Sequence, residues 1–213
     1  MYRDLRIAVA VPAHNEGRLI RRTLDRVPSF VDDIVVVDDA SSDGTSGEVR
    51  RAALGDPRIH ALAHDGNRGV GASIVTAFET SLALGADVVV VMDGDGQMDP
   101  GDLPSMIDPI ADGAFDVAKG LRFDGVRPRG TMPIGRWIGN LVLSTATRLA
   151  SGWRSPLDSQ CGYVALSAGA LSRLPLGELY ARYGFPNDLF LRAGEAGLRV
   201  EWVPVRAVYR AEV

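Results

Sequence analysis

Apolar runs alternate with segments of helical periodicity along the first 120 residues of the chain. The apolar runs predict strands at roughly 5–12, 33–38, 58–63, 86–92 and 115–120. The segments with apolar residues every three or four positions predict helices at 16–28, 44–54, 69–84 and 102–112. Strands that alternate with helices of this length are typical of βαβ units, so we predict an α/β fold with a mostly parallel sheet.

The pattern changes after residue 121. Residues 122–131 contain three arginines among glycine and proline, which indicates a basic loop. Residues 133–151 carry apolar side chains on broadly one face of a helix, and 199–209 alternate like one more strand. We treat residues 1–213 as one domain with a nucleotide-binding-like half, 1–121, and a more specialised half, 122–213.

Composition narrows the classes of protein to which the chain can belong. Its 213 residues suffice for one domain with a substantial core, and its net charge of −4 gives no support for a broad nucleic-acid-binding surface. The single cysteine, Cys161, excludes an intramolecular disulfide and a multi-cysteine metal site, and it fits a reducing compartment. We interpret it as a small buried residue. No run approaches the roughly 20 apolar residues of a membrane-spanning helix, and no signal peptide is predicted.

Polar residues follow three of the predicted strands. Asp93-Gly94-Asp95-Gly96-Gln97 comes directly after the apolar run 88–92, and further polar residues follow the first and second strands at 14–16 and 38–45. The carboxyl ends of parallel strands meet at one edge of a sheet, where ligands bind. Clustered oxygen atoms suit a hard cation such as Mg²⁺ or Mn²⁺, and such a cation suits a diphosphate.

Two of the neighbouring motifs have competing interpretations. The segment 67–71, with glycine at positions 69 and 71, opens a predicted helix whose N-terminus favours an anion such as phosphate, or its glycines serve close packing only. Asp43 is interpreted as a helix cap. Capping does not account for Asp38 and Asp39, which can accept hydrogen bonds from a base or from ribose hydroxyls.

Taken together, these motifs resemble family 2 glycosyltransferases of the GT-A fold. The resemblance rests on residues 11–16, 37–45, Asn67-x-Gly69 and 92–100, which come in the order and spacing of that family. A closer likeness is to polyprenyl-phosphate glycosyltransferases of the dolichol-phosphate mannosyltransferase type. It adds Gln97, Asp99-Pro100, Gly120-x-Arg122, Arg136-x-x-Gly139-Asn140, and Asp158 followed by Gly162.

The resemblance implies a three-layer fold with a mostly parallel nucleotide-binding sheet flanked by helices. It also implies an inverting, metal-dependent transfer of a hexose from a UDP- or GDP-sugar to a polyprenyl, dolichyl-type phosphate. By resemblance, Asp95 and Gln97 bind Mg²⁺ or Mn²⁺, and Asp93 contacts the nucleotide and shares the metal. The remaining donor-binding residues implied by the resemblance are Pro12, His14, Glu16, Asp38, Asp39 and Asn67. His14 either stacks on the base or is a surface turn residue.

The acceptor decides whether a general base is needed. A sugar hydroxyl must lose a proton to a nearby carboxylate, whereas a polyprenyl monophosphate is already an anion and needs positive charge instead. A basic cluster favours the second case and consists of Lys119, Arg122, Arg127, Arg129 and Arg136. The alternative is a solvated loop with scattered arginines. We predict that Arg122 and Arg136, which match the family pattern, act at the acceptor.

Two acidic positions complete the predicted site. The resemblance places Asp158 at the reaction centre, where we expect it to orient the acceptor or the sugar, with base catalysis as the second interpretation. Asn187-Asp188 occupies the region where relatives with hydroxyl acceptors carry an acidic pair that includes the base. Asn187 in place of one acid favours a phosphate acceptor. Asp188 stays a catalytic candidate, or it caps a helix that begins near Leu189.

Three functions stay open at this point. The first is the polyprenyl-phosphate transferase, the second has the same donor chemistry with a soluble hydroxyl acceptor, and the third is a non-catalytic nucleotide-sugar-binding module. The helix at 133–151 either packs its apolar face on the core or meets lipid. Many relatives carry further membrane helices, so the chain is either peripheral or a fragment. We expect a cytoplasmic location, free or peripheral on the inner face of the membrane.

Overall fold

The computed structural model describes residues 1–122, 135, 138, 139, 142, 144, 145 and 158–206. Seven strands form one sheet, and they are β1 (Ile7–Ala13), β2 (Asp33–Asp38), β3 (Ile59–Ala63), β4 (Val88–Val91), β5 (Val117–Leu121), β6 (Val164–Ser167) and β7 (Val200–Pro204). Their order across the sheet is β3-β2-β1-β4-β6-β5-β7. Strands from both halves of the chain therefore share a single sheet.

Helices cover both faces of this sheet. The α-helices are α1 (Ile20–Asp25), α2 (Thr45–Gly55), α3 (Val70–Ala83), α4 (Leu103–Ala111), α5 (Ala168–Arg173) and α6 (Phe185–Glu195). Short 3₁₀ helices lie at Pro100–Asp102 and Leu176–Glu178. Helices α1, α2 and α4 pack on one face, and α3, α5 and α6 pack on the other. The predicted three-layer α/β architecture is confirmed.

Burial on both faces explains the composition of the central strands. Every residue of β1, β2 and β4 is buried. Alternate residues of β1 enter opposite cores, with Val9 in the core beneath α1 and α4 and Ala10 in the core beneath α3. A strand covered on both faces carries a continuous apolar run rather than an alternating one. The four valines of β4 are the clearest example.

Strand β6 is antiparallel to both of its neighbours, whereas β1 to β4 are mutually parallel and β5 is parallel to β7. Its first residue, Val164, pairs with Val91 of β4 on one side and with Lys119 of β5 on the other. The residues just before β6 therefore cross the carboxyl ends of β4 and β5. This arrangement brings 158–163 into the same edge of the sheet as the Asp93 turn.

The elements predicted in the first half are confirmed, most of them to within two residues at each end. Helix α1 is shorter than predicted because 16–19 form a turn before it. The predicted terminal strand is β7, and its last predicted residues lie outside the described ones. Of the helix predicted at 133–151, the described residues are helical, and Ile138 and Val142 among them are exposed. No helix in the described ranges is long and apolar enough to cross a bilayer.

Candidate active site

A cleft of about 620 Å³ opens at the carboxyl ends of β1, β4 and β5, between the N-termini of α3 and α6. Residues from both halves of the chain line it. Seven of the residues predicted to bind donor or metal are among them, namely Pro12, His14, Glu16, Asp39, Asn67, Asp93 and Asp95. The convergence of strand ends that the sequence predicts is present in the fold.

The turn after β4 holds Asp93 and Asp95 toward this cleft. The Thr23 hydroxyl of α1 donates to the Gly94 carbonyl oxygen at 3.1 Å, and the Gln97 amide N–H donates to Asp95 Oδ1 at 2.9 Å. Gly96 has a φ of +71°, a conformation that favours glycine. The turn is thus anchored from α1 and closed by its own backbone. Gln97 itself is not among the residues that line the cleft.

Negative charge accumulates around this turn. Burial, together with the nearby Asp95 and Glu16 carboxylates, raises the pKa of Asp93 to about 7, although Arg122 acts in the opposite direction. Burial also raises the pKa of Glu16, and Asp95 and Asp43 add to that increase. Within the described residues, no side chain forms a hydrogen bond or ion pair with the Asp93 carboxylate. A bound cation would relieve this repulsion.

The donor set at the turn fits a hard divalent cation. No three His, Cys, Asp or Glu side chains in the described part of the chain form a complete metal site by themselves. Mg²⁺ characteristically takes one or two carboxylates and completes its shell with water and substrate phosphates. Asp93 and Asp95 match that requirement, and Gln97 lies two residues further along the same turn.

The two acids after β2 have different positions. Asp38 is buried, accepts hydrogen bonds from the Ser41 amide and hydroxyl, and does not line the cleft. Asp39 lines the cleft and accepts from the amides of Arg68 and Gly69 at 2.8 and 2.7 Å, and it also contacts His64 Nδ1. Burial opposes ionisation of Asp39, but these hydrogen bonds outweigh it and lower its pKa. Both carboxylates therefore organise the loops around them.

His14 lies on the cleft wall rather than in an isolated surface turn. Its Nδ1 is 2.8 Å from the Asp39 carbonyl oxygen, and the Asn67 amide nitrogen approaches the ring at 3.4 Å. Stacking of His14 on a base is one of its two predicted roles. The position of the ring on the wall is compatible with that contact.

The glycines at the start of α3 serve close packing. A Cβ atom on Gly69 would lie 2.4 Å from the Ala181 carbonyl oxygen, and one on Gly71 would lie 2.2 Å from the Tyr180 carbonyl oxygen. The Ala72 amide donates to the Ala181 oxygen at 3.1 Å. Several amides at this helix start already have partners in the protein. The structure shows the close packing that one of the two interpretations expects, and phosphate binding stays a prediction.

Asp158 and Arg122 form a buried ion pair beside the cleft. Asp158 is fully buried, and it accepts from Arg122 Nε at 2.8 Å, from Nη2 at 2.7 Å and from the amide at 3.1 Å. Both carboxylate oxygens thus hold one guanidinium group in a bidentate geometry. Asp158 was expected to orient the acceptor or the sugar itself. In the structure its oxygens hold Arg122, and its expected role at the acceptor or the sugar stays a prediction.

The region of the acidic pair also differs from expectation. Gln160 lines the cleft and its Nε2 donates to Asn187 Oδ1 at 2.9 Å. Asp188 does not line the cleft, since its carboxylate accepts from the Tyr180 amide at 2.8 Å and pairs with Arg192. Helix α6 begins at Phe185 with Gly184 as its N-cap, so a cap by Asp188 near Leu189 was wrong. In this region the neutral Gln160 lines the cleft, with Asn187 as its hydrogen-bond partner.

The prediction for Asp43 needs a smaller correction. The N-cap residue of α2 is Gly44, but Asp43 Oδ1 accepts from the first helical amide, that of Thr45, at 2.9 Å. Its Oδ2 accepts from the Gly17 amide at 3.0 Å. Arg136, predicted to act at the acceptor, lies outside the described residues, as do Arg127 and Arg129.

Several cleft residues were absent from the predicted site. They are Gln160, Arg182, Tyr183 and the apolar side chains of Phe185 and Leu189. Lys119 was predicted only as one member of the basic cluster, yet it lines the cleft while being 2% exposed. Cys161 is buried, as expected, and burial raises the pKa of its thiol to about 11, which makes it a poor nucleophile.

Comparison with known proteins identifies the relatives of this chain. A family model described as "Glycosyl transferase family 2" matches residues 8–173. A UDP-N-acetylglucosamine–dolichyl-phosphate N-acetylglucosaminyltransferase of Methanococcus voltae is 29% identical over 219 residues, covering 97% of this chain and 87% of the relative. An undecaprenyl-phosphate mannosyltransferase of Micrococcus luteus is 32% identical over 216 residues, covering 97% and 85%.

Among solved structures, glucosyl-3-phosphoglycerate synthase from Mycobacterium tuberculosis, in complex with Mn²⁺, uridine diphosphate and glucosyl-3-phosphoglycerate, matches with a TM-score of 0.72. The match covers 99% of this chain and 74% of that chain, at 20% identity. At this identity the likeness shows the fold alone, and that fold is the predicted GT-A fold.

Proposed function

The chain belongs to glycosyl transferase family 2, and on that premise we propose that it transfers a hexose from a UDP- or GDP-sugar to a polyprenyl phosphate. The names of relatives that span most of this chain support a polyprenyl-phosphate acceptor. These relatives differ in the sugar they transfer, N-acetylglucosamine in one case and mannose in the other. The proposal therefore leaves the sugar to experiment.

The donor would bind along the side of the cleft formed by the ends of β1, β2 and β4, which we call the donor side. Its residues are Pro12, His14, Glu16, Asp39, Asn67, Asp93 and Asp95. A diphosphate could not approach so many carboxylates without compensation of its own charge. A divalent cation held by Asp93 and Asp95, with Gln97 nearby, would supply that compensation and stabilise the departing diphosphate.

A second set of cleft residues, from the second half of the chain, carries the proposal for the acceptor. We call it the acceptor side, and its described lining residues from the second half are Gln160, Gly162, Val164, Arg182, Tyr183, Phe185, Pro186 and Leu189. None of these is a carboxylate. A hydroxyl acceptor needs a base to remove its proton, but a phosphate monoester is already ionised at neutral pH. The absence of a carboxylate among these residues is the observation that favours a phosphate acceptor.

Positive charge lies where such an acceptor would need it. Arg122 is held by Asp158 next to the cleft, and Lys119 lines it. The phosphate oxygen would attack C1 of the sugar directly, forming the new C1–O bond as the bond to the nucleotide diphosphate breaks. One displacement of this kind inverts the anomeric centre. The buried Cys161 thiol offers no alternative as a covalent nucleophile.

The experiment that tests the proposal measures release of nucleotide diphosphate. The protein is incubated with Mg²⁺ or Mn²⁺ and a panel of UDP- and GDP-sugars, with and without a short-chain polyprenyl phosphate. Release that depends on the lipid phosphate and the metal is the expected result, and it identifies the donor. Inversion is checked by NMR of the anomeric carbon in the product.

Two other outcomes would replace the proposal. Release that requires a hydroxyl acceptor, and persists without lipid phosphate, would assign the same donor chemistry to a soluble acceptor. Donor binding without release under any condition would identify a non-catalytic nucleotide-sugar-binding module. A cytoplasmic location peripheral to the membrane is part of the proposal, and co-sedimentation with vesicles that contain polyprenyl phosphate tests it.

A further inference from the structure

Lys119 is the only lysine in the chain, because the other 22 of the 23 Lys and Arg residues are arginine. This lysine lies in the interior, at 2% exposure, on β5, the strand next to the edge strand β7. Surface cations are common in any soluble protein, but fully buried lysines are rare unless they are paired. A sequence that uses arginine everywhere else therefore places its single lysine at a buried position in the candidate active site.

The ammonium group of Lys119 has a neutral partner. Its Nζ donates to the Cys161 carbonyl oxygen at 2.5 Å, and within the described residues no carboxylate forms an ion pair with it. An ammonium has three N–H donors, and the carbonyl satisfies one of them. Leaving charge and donors unsatisfied in the interior is costly. Since Lys119 lines the cleft, a ligand in the cleft can reach it.

Arg122 differs from Lys119 because a carboxylate pairs with its charge. Its guanidinium is held by both oxygens of Asp158, so one positive charge and one negative charge already offset each other. Burial lowers the pKa of Lys119 and Arg122 acts in the same direction, whereas Asp158 favours its charged form. Among the described residues joined by these contacts, Lys119 and Arg122 are basic and Asp158 is a carboxylate, while the Asp93 carboxylate acts on Arg122 from the donor side. A phosphate monoester, with a charge of about −1.5 to −2 at neutral pH, would restore the balance.

We propose that Lys119 binds the acceptor phosphate directly, with the Cys161 carbonyl holding its ammonium in place and Asp158 holding Arg122 beside it. This inference rests on the proposed function, and it specifies which group carries the uncompensated charge at the acceptor. A lysine ammonium is a compact point charge whose three donors can turn toward both the Cys161 carbonyl and a phosphate. Lys119 touches the substrate in this proposal, whereas Asp158 acts only through Arg122.

The single lysine permits a direct test on the unmodified protein. Expression with ¹³C,¹⁵N-lysine gives one lysine CεH₂ signal, which belongs to Lys119. We expect this signal to shift on addition of farnesyl phosphate and to stay unchanged with farnesol. Inorganic phosphate serves as a further probe, since a shift with it identifies a general phosphate site and no shift identifies a requirement for the prenyl group. A signal that responds to UDP with Mg²⁺ and not to farnesyl phosphate overturns the proposal.

Steady-state kinetics of Lys119 variants provide a second test. We expect Lys119→Met to raise the KM for farnesyl phosphate by roughly 10- to 100-fold, the range for loss of a charged hydrogen bond, with little change in the KM for the donor. Lys119→Arg keeps the charge but enlarges the group, so we expect it to restore activity only in part. Arg51→Met, which removes an exposed cation of α2 away from the cleft, is the control and should leave both constants unchanged.

The outcomes separate this inference from the proposed function. Lipid-phosphate-dependent turnover in the wild-type protein, with an unchanged acceptor KM in Lys119→Met, overturns the inference alone. A second result would also overturn the inference. In it, Lys119→Met loses donor binding and acceptor use together and unfolds at a lower temperature, and the wild-type lysine signal does not shift. Lys119 would then have a structural role. If the wild type shows no lipid-dependent turnover, the proposed function fails, and the lysine signal still decides whether a phosphate binds here.

Discussion

The donor side and the acceptor side of the cleft have opposite electrostatic character. The donor side gathers Glu16, Asp93 and Asp95, and burial together with their mutual repulsion raises the pKa of Asp93 and of Glu16. At the edge of the acceptor side, as far as the structure describes it, the carboxylate of Asp158 is fully buried against Arg122. Under the proposed function, one side receives a cation and the other receives an anion. A transferase that separates a diphosphate from a sugar and joins the sugar to a phosphate needs both.

The largest effect is expected on the donor side. Asp95→Ala should lower kcat/KM by about 10³-fold or more, because loss of a metal ligand removes several kcal/mol of charge stabilisation from the departing diphosphate. Nucleotide diphosphate release across a metal titration measures it. Asp25→Ala, an exposed carboxylate of α1 paired with Arg21, is the control and should behave as the wild type. Full, metal-independent activity in Asp95→Ala would remove the metal assignment.

The second effect concerns the ion pair at the edge of the acceptor side. Asp158→Asn should destabilise the fold by about 3 kcal/mol, because it leaves the Arg122 guanidinium without its carboxylate in a largely buried site. Urea unfolding measures the loss. The double variant Arg122→Met/Asp158→Asn should lose less than the sum of the two single changes.

Asp188→Asn is the matched control for that experiment. Its ion pair with Arg192 is partly exposed, so the expected loss is below about 1 kcal/mol, and activity should persist. A large loss of turnover in Asp188→Asn, with the fold intact, would contradict the phosphate-acceptor proposal and support a base-dependent hydroxyl acceptor.

The junction between the two sides gives a third test. Gly71→Ala should destabilise the protein by about 1–3 kcal/mol and weaken donor binding, because its Cβ atom would collide with the Tyr180 carbonyl and displace the loop that packs on α3. Gly47→Ala in α2 meets only the end of the Arg51 side chain, at 3.5 Å. It should be neutral or stabilising by up to about 1 kcal/mol. Thermal unfolding and calorimetric titration with UDP compare the Gly71→Ala and Gly47→Ala variants. Equal stability and equal UDP affinity in the two variants would exclude the packing role of Gly71.

The smallest effect lies at the ends of β5 and β7 away from the cleft. The Arg199 side chain holds the pKa of Asp116 at about 2. A folded-state pKa below the ordinary value stabilises the fold at pH above about 4, and this contribution disappears as pH falls toward 2. Asp116→Asn should therefore cost stability at pH 7, by less than about 1 kcal/mol for a solvent-screened pair, and nothing near pH 2. An equal cost at both values would contradict the ionic origin.

The two sides also differ in how well the sequence predicted them. On the donor side, the ligand residues follow directly after strands, so the period of the apolar pattern locates them. Predicted and observed strands coincide at 33–38, and the Asp93 turn follows β4 as expected. Buried strands with neighbours on both sides need no long-range information to be recognised, because their composition alone is distinctive.

On the acceptor side, the sequence predicted far fewer of the observed elements and contacts. Strand β6 has four residues, too few to establish a period, α5 was not predicted, and the start of α6 was predicted four residues late, near Leu189. The Asp158–Arg122 pair joins residues 36 apart in the sequence, and the Gln160–Asn187 pair joins residues 27 apart. The occurrence of a single lysine was available in the sequence, but its importance depends on the burial of that residue.

The sequence by itself determined the α/β class, the parallel donor half and the cluster of carboxylates at the ends of β1, β2 and β4. These follow from local periodicity and from the rule that parallel strand ends share an edge. Only the tertiary structure decided that Asp158 serves Arg122, that Asp188 faces away from the cleft, and that Lys119 lines it without a carboxylate partner among the described residues. The placement of Asp158 and of the Cys161 carbonyl beside β5 depends on the antiparallel insertion of β6 between β4 and β5, a long-range pairing that no local pattern encodes.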